Sequence, residues 1–110
     1  MSEITICRRP DGKKSIRSIQ VSGHADSNPE GADLVCCAVS VLTINLVNSL
    51  DHLTDDTFVF DQHESIGFMS IVFPEEPGEE ASLLLSSYEL GILSTAAQYG
   101  DWLKVYTEEV

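Results

Sequence analysis

The stretch from Asp33 to His52, DLVCCAVSVLTINLVNSLDH, decides how the rest of the chain folds. Val35, Val39, Leu42, Leu46 and Leu50, with Leu53 just beyond, recur at steps of three and four, the spacing of one face of an α-helix. Leu34, Cys37, Val41 and Ile44 form a second apolar stripe beside the first, which predicts a helix buried on two sides. Cys36, Ser40, Thr43 and Val47 share the narrow face that remains, so Cys36 and Ser40 stack one turn apart. A small polar face near one end of a buried helix is unusual as plain packing.

Upstream, Ala25 to Ala32 is rich in turn-forming residues (Asp26, Ser27, Asn28, Pro29, Gly31) and reads as a loop. Two starts for the helix are open. With Asp33 as N-cap, Cys36 falls in the first turn, where free N–H groups and the helix dipole favour a thiolate. With Ser27 or Asn28 as cap and Pro29 at the first position, Cys36 lies two turns in and that benefit fades. Asp33 is favoured, because Gly31 interrupts the earlier start.

Ile4 to Arg8 and Ser15 to Ser22 alternate apolar and polar residues as short strands, and Pro10-Asp11-Gly12-Lys13 between them suits a reverse turn. Gly23 lets the backbone leave the second strand sharply and puts His24 at the sheet edge. Such a loop can fold His24 back onto Cys36, which makes the pair a candidate active site, although a Cys/His dyad is defined by geometry and not by separation along the chain. Thr57 to Phe60 and Gly67 to Phe73 read as a second hairpin, joined by DQHESI. PEEPGEE at Pro74 to Glu80 breaks the chain before a second helix, about Ala81 to Tyr99, with Leu84, Leu85, Tyr88, Ile92, Ala96 and Tyr99 down one side. Gly91 weakens that helix and Gly100 ends it; Trp102 to Tyr106 adds a short edge strand before a loose Thr107 to Val110. The order ββαββα(β) predicts an α+β fold, two helices packed on a mainly antiparallel sheet, in a single domain over residues 1–110.

The chain has 18 acidic against 6 basic residues, a formal charge of −12, which argues against binding to a phosphate backbone and makes a basic partner the more plausible one, beside the plain reading that the acidity maintains solubility. The acidic Asp51 to Asp61 region is most simply a solvated rim, with the capacity to hold basic substrate residues. Three cysteines, two of them adjacent, imply no disulfide framework and fit a reducing cytoplasm. No CxxC or HxxxH spacing supports zinc, and adjacent helical cysteines point about 100° apart, so neither a metal nor a cofactor is expected. No signal peptide is read at the N-terminus. Leu34 to Leu50, interrupted by Ser40, Thr43, Asn45, Asn48 and Ser49, falls short of a membrane span.

GHA at Gly23, His24 and Ala25, then Gly31, Asp33, Val35 and Cys36, then Ala38, Val39 and Ser40 resemble the motif of the ribosomal-processing cysteine protease family, Prp. Length, element order and the terminal ELGILSTAAQYGDWLKV agree, so the resemblance covers nearly the whole chain. It implies a small, dimeric, cytoplasmic bacterial enzyme that removes the N-terminal extension of large-subunit ribosomal protein twenty-seven after a pair of phenylalanines. Cys36 would be the nucleophile and His24 the base. Cys37 departs from the family, which usually has alanine there.

The chemistry matches those roles: sulfur cleaves a peptide as a thiolate, and an imidazole takes the thiol proton and returns one to the leaving amine. Asp33 either orients His24 or caps the helix, the cap being favoured; Ser40 supports the thiol or fills a tight helix–sheet contact. Backbone N–H groups around Cys36 and Cys37 are oxyanion donors if the helix starts at Asp33. Gly23 and Gly31 would hinge the loop between them as a lid. His52, near a helix end, and His63, in a hairpin loop, do not read as catalytic. The apolar stripes, more than one small sheet can cover, predict a homodimer. Two rivals stand beside the protease: a non-catalytic acidic dimer that holds a basic ribosomal partner, and a redox-sensing protein using Cys36 and Cys37, which vicinal helical geometry disfavours.

Overall fold

The computed structural model describes residues 2–23 and 32–109. Strands β1 (Ser2–Arg8) and β2 (Ile16–Ser22) are followed by helix α1 (Ala32–Leu53), strands β3 (Val59–His63) and β4 (Phe68–Val72), helix α2 (Glu79–Gln98) and strand β5 (Leu103–Glu109). The order is the expected ββαββα(β). The five strands form one sheet in the order β3-β4-β2-β1-β5, antiparallel except where β5 runs parallel to β1.

Alternation along the strands decides which face the helices cover. Ile4 pairs with Val21 and Ile6 with Ile19, and the rows continue to Met69 and Ile71 on β4. These residues are buried, whereas Glu3, Arg17 and Gln20 on the opposite face are exposed. Val35, Val39, Leu46 and Leu50 of α1 and Leu85, Tyr88 and Ile92 of α2 close the other side of this core. Burying each such aliphatic side chain stabilises the fold by about 1.5–3 kcal/mol before the entropy of ordering it is counted.

Several boundaries differ from expectation for identifiable reasons. β5 continues to Glu109 because every residue from Leu103 onward finds a partner on β1, from Ser2 to Arg8, so Thr107 to Glu109 are paired and not loose. β3 takes in Asp61 to His63, opposite Phe68 to Ser70, which puts His63 on a strand end instead of in the loop. In the first hairpin the positive φ belongs to Lys14 (51°) and not to Gly12, and the Asp11 carboxylate accepts the N–H groups of Lys13 (3.1 Å) and Lys14 (3.0 Å). α2 ends at Gln98, where Tyr99 N–H donates to the Thr95 carbonyl, one residue before Gly100.

The second apolar stripe on α1 is largely uncovered: Leu34 and Val41 are more than 60% exposed and Cys37 is exposed with them, while Ile44 packs partly against the core; Leu53, at the end of the first stripe, is also more than 60% exposed. By length and composition Leu34–Leu53, mean hydropathy 1.7, is enough to cross a membrane, contrary to the sequence reading. Part of that apolarity is used in packing, since Val35, Val39, Leu46 and Leu50 meet the sheet and α2. Where α1 crosses α2, Thr43 is fully buried; its hydroxyl donates to the Val39 carbonyl at 2.8 Å and lies 2.9 Å from the Tyr88 hydroxyl. Burial pushes the Tyr88 phenol up to about 12, against the hydrogen bond with Thr43, which acts the other way.

Candidate functional site

Strand β2 ends at Ser22, and Gly23 follows with φ of 137°, a conformation that L side chains rarely adopt. A glycine at this strand end meets that backbone requirement without strain. Next to it, the first half of α1 passes over the hairpin of β3 and β4 and leaves a cleft of about 290 Å³. Cys36 and Ser40, one turn apart on α1, line it together. Val21, Val39, Phe68 and Met69 supply its apolar walls, and Gln62 and Glu64 its polar side.

Cys36 is half-buried in this cleft as a free thiol, while Cys37 is exposed outside it. The helical step of about 100° separates two adjacent thiols into different environments. Ser40 borders the cleft beside the thiol, so its expected proximity to Cys36 is realised. α1 begins at Ala32, one residue before the favoured cap, so Asp33 lies within the first turn and not at the N-cap. Cys36 is the fifth helical residue, and its N–H belongs to the ladder of bonds to carbonyls four residues back.

His24, Gly31 and the rest of the expected lid lie outside the described residues, as does the Asp33 side chain. Neither of the other histidines borders the cleft. His52 is in the last turn of α1, 3.9 Å from the Asp51 carboxylate, and His63 stands against Phe68, 3.6 Å from Asp61. Asp56, read from sequence as part of a solvated rim, instead braces the backbone. Its carboxylate accepts the Gly78 N–H at 2.7 Å and ties the segment after α1 to the start of α2.

A larger cavity of about 510 Å³ lies at the other end of β1, between the first hairpin and the start of α2. Its three basic residues each meet a carboxylate: Arg8 with Glu89, Lys13 with Glu76 at 3.6 Å, and Lys14 with Glu109, outside the lining, at 2.8 Å. No thiol or imidazole borders it among the described residues, whereas Cys36 lines the smaller cleft. The contributions of Val21, Gln62, Glu64, Phe68 and Met69 to that cleft were missed from sequence. The alternation of β4 marks Met69 as facing the helices, but no local signal says which helix residue it meets.

Comparison with known proteins bears on the chain as a whole. A family model described as Cysteine protease Prp matches residues 1–104. The ribosomal processing cysteine protease Prp of Bacillus subtilis (strain 168) is 32% identical over 111 residues, covering 97% of each chain. Among solved structures, SMU.848 from Streptococcus mutans superposes with a TM-score of 0.88 at 32% identity, over 100% of this chain and 96% of that one. An essential ribosomal processing protease Prp from S. aureus, in complex with a substrate peptide, superposes with a TM-score of 0.90 at 19% identity, over 98% of this chain and all of that one, a likeness of fold.

Proposed function

The chain belongs to the Prp cysteine protease family, and from that premise we propose that it removes the N-terminal extension of large-subunit ribosomal protein twenty-seven, with Cys36 as nucleophile and His24 as base. The observation that carries the reading is the half-buried Cys36 thiol opening into a cleft with apolar walls, a setting suited to an extended peptide with an aromatic side chain beside the scissile bond. In this reading His24 takes the thiol proton and sulfur attacks the carbonyl carbon. The C–N bond then breaks as His24 returns the proton to the leaving amine, and the acyl group stays on sulfur as a thioester. Water, deprotonated by His24, releases the new carboxylate and restores the thiol. Val21, Val39, Phe68 and Met69 would receive the side chain that precedes the cut, and Ser40 would border the thiol.

The same reading takes residues 1–110 as a single catalytic domain working in the cytoplasm, where thiols stay reduced, and as a homodimer. The uncovered Leu34 and Val41 of α1 and Leu83, Leu90 and Leu93 of α2 support a second copy as the partner of the helical layer. The charge of −12 supports a basic substrate.

Incubation with the intact ribosomal protein tests the catalytic claim. Cys36→Ala and His24→Ala should each lose nearly all cleavage while staying folded, and the double variant should be scarcely worse, because nucleophile and base act as one unit. Cys37→Ala should lose little. Equal cleavage by the parent and by Cys36→Ala would remove Cys36 from its role.

A further inference from the structure

Among the described residues that wall the Cys36 cleft, Glu64 is the one that carries a charge. The rest offer hydroxyls, the Gln62 amide or hydrocarbon. Glu64 opens the 3₁₀ turn between β3 and β4, and Gly67 closes that turn in the left-handed region (φ 64°, ψ 38°), its N–H donating to the Glu64 carbonyl at 3.2 Å. The backbone beneath the carboxylate is thus held by a defined turn, while the side chain faces solvent. Among the described residues no lysine, arginine or histidine lies within ion-pair distance of it.

An exposed carboxylate with no cationic partner among the described residues is by itself an ordinary solvated group. The position of this one is what matters, because it shares a small cleft with the thiol. An extended peptide advances roughly 3.3 Å per residue, so a chain whose carbonyl reaches Cys36 brings side chains only a few residues away past Glu64. The net charge of the chain attracts any basic peptide without regard to where its cations lie. Glu64 adds a preference that depends on position.

We propose that Glu64 is a specificity-determining residue: it selects peptides that carry a lysine or arginine within three residues of the bond cut at Cys36. The proposal rests on the protease reading of the cleft and adds to it the chemical class of a second recognised side chain. The pair forms near solvent, so its contribution is modest and weakens as salt screens it.

The test is a peptide series with phenylalanine before the scissile bond and a single lysine, norleucine or glutamate moved through three positions on each side. Cleavage by the parent, Glu64→Gln and Glu64→Lys is read as kcat/KM. Binding of the same peptides to Cys36→Ala and to its Glu64→Gln and Glu64→Lys double variants is read by fluorescence anisotropy. At low salt one position should show a lysine-over-norleucine preference of roughly two- to fivefold. Glu64→Gln should abolish it and Glu64→Lys should turn it into a preference for glutamate, a reversal that a purely structural role would not produce. The proposal is overturned if no position distinguishes lysine from norleucine in binding, or if the preference survives in Glu64→Gln. Absence of cleavage by the parent, with the binding preference intact, would count against the protease reading and leave the assignment of Glu64 standing.

Discussion

Replacing Thr43 by valine should destabilise the protein more than replacing Tyr88 by phenylalanine, although each change deletes one hydroxyl from the same hydrogen bond. The asymmetry follows from where the protons are. Thr43 spends its single proton on the Val39 carbonyl at 2.8 Å, so across the 2.9 Å contact Tyr88 must be the donor and Thr43 the acceptor. Tyr88→Phe removes the donor and leaves Thr43 still bonded to Val39, a loss of about 1 kcal/mol. Thr43→Val leaves the Tyr88 hydroxyl, on a residue only 4% exposed, without a partner, which costs about 1–3 kcal/mol. The double variant removes both ends together and should cost clearly less than the sum, with a coupling of about 1 kcal/mol or more. Urea unfolding followed by circular dichroism measures all four proteins, provided the slope against denaturant stays constant. Equal costs for the two single variants, or strict additivity in the double, would refute the donor assignment.

The same phenol makes stability pH-dependent. Its pKa of about 12 in the folded chain lies above the ordinary 10, so the contribution is intact below pH 10 and is lost as pH rises towards 12, by about 2–3 kcal/mol in all; a Tyr88→Phe chain should lack this alkaline decline in its unfolding midpoint. Gly91→Ala should raise stability by up to about 1 kcal/mol, because a methyl group there meets Leu42 at 3.6–3.7 Å, ordinary contact, and removes the helix penalty of glycine; a fall in melting temperature would show that Leu42 cannot accommodate the methyl. If the helical layer pairs with a second copy, Val41→Glu should shift sedimentation from dimer to monomer at micromolar concentration, and a parent that sediments as a concentration-independent monomer would exclude the dimer.

Local pattern was enough to place the elements. The steps of three and four from Val35 to Leu50, the alternation of Ile4 and Ile6 and of Ile19 and Val21, and the PEEPGEE break each depend on neighbours a few residues away, so ββαββα(β) was legible in the chain itself. The motif around Cys36 was legible in the same way and led to the family. Tertiary structure decided what those elements meet. Whether Leu34 and Val41 are covered depends on where α2 lies, and the helical layer of this chain leaves them exposed. β5 runs on to Glu109 only because β1 offers partners along its whole length, a pairing between the two ends of the sequence. The Cys36 cleft joins a helix to a hairpin some thirty residues further along, which no periodicity encodes; Phe68, Met69 and Glu64 become neighbours of the thiol through the packing of α1 on the sheet. The separation of Cys36 from Cys37 depends on both levels. Helical geometry sets the two thiols about 100° apart, and only the position of the sheet determines which of them opens into the cleft.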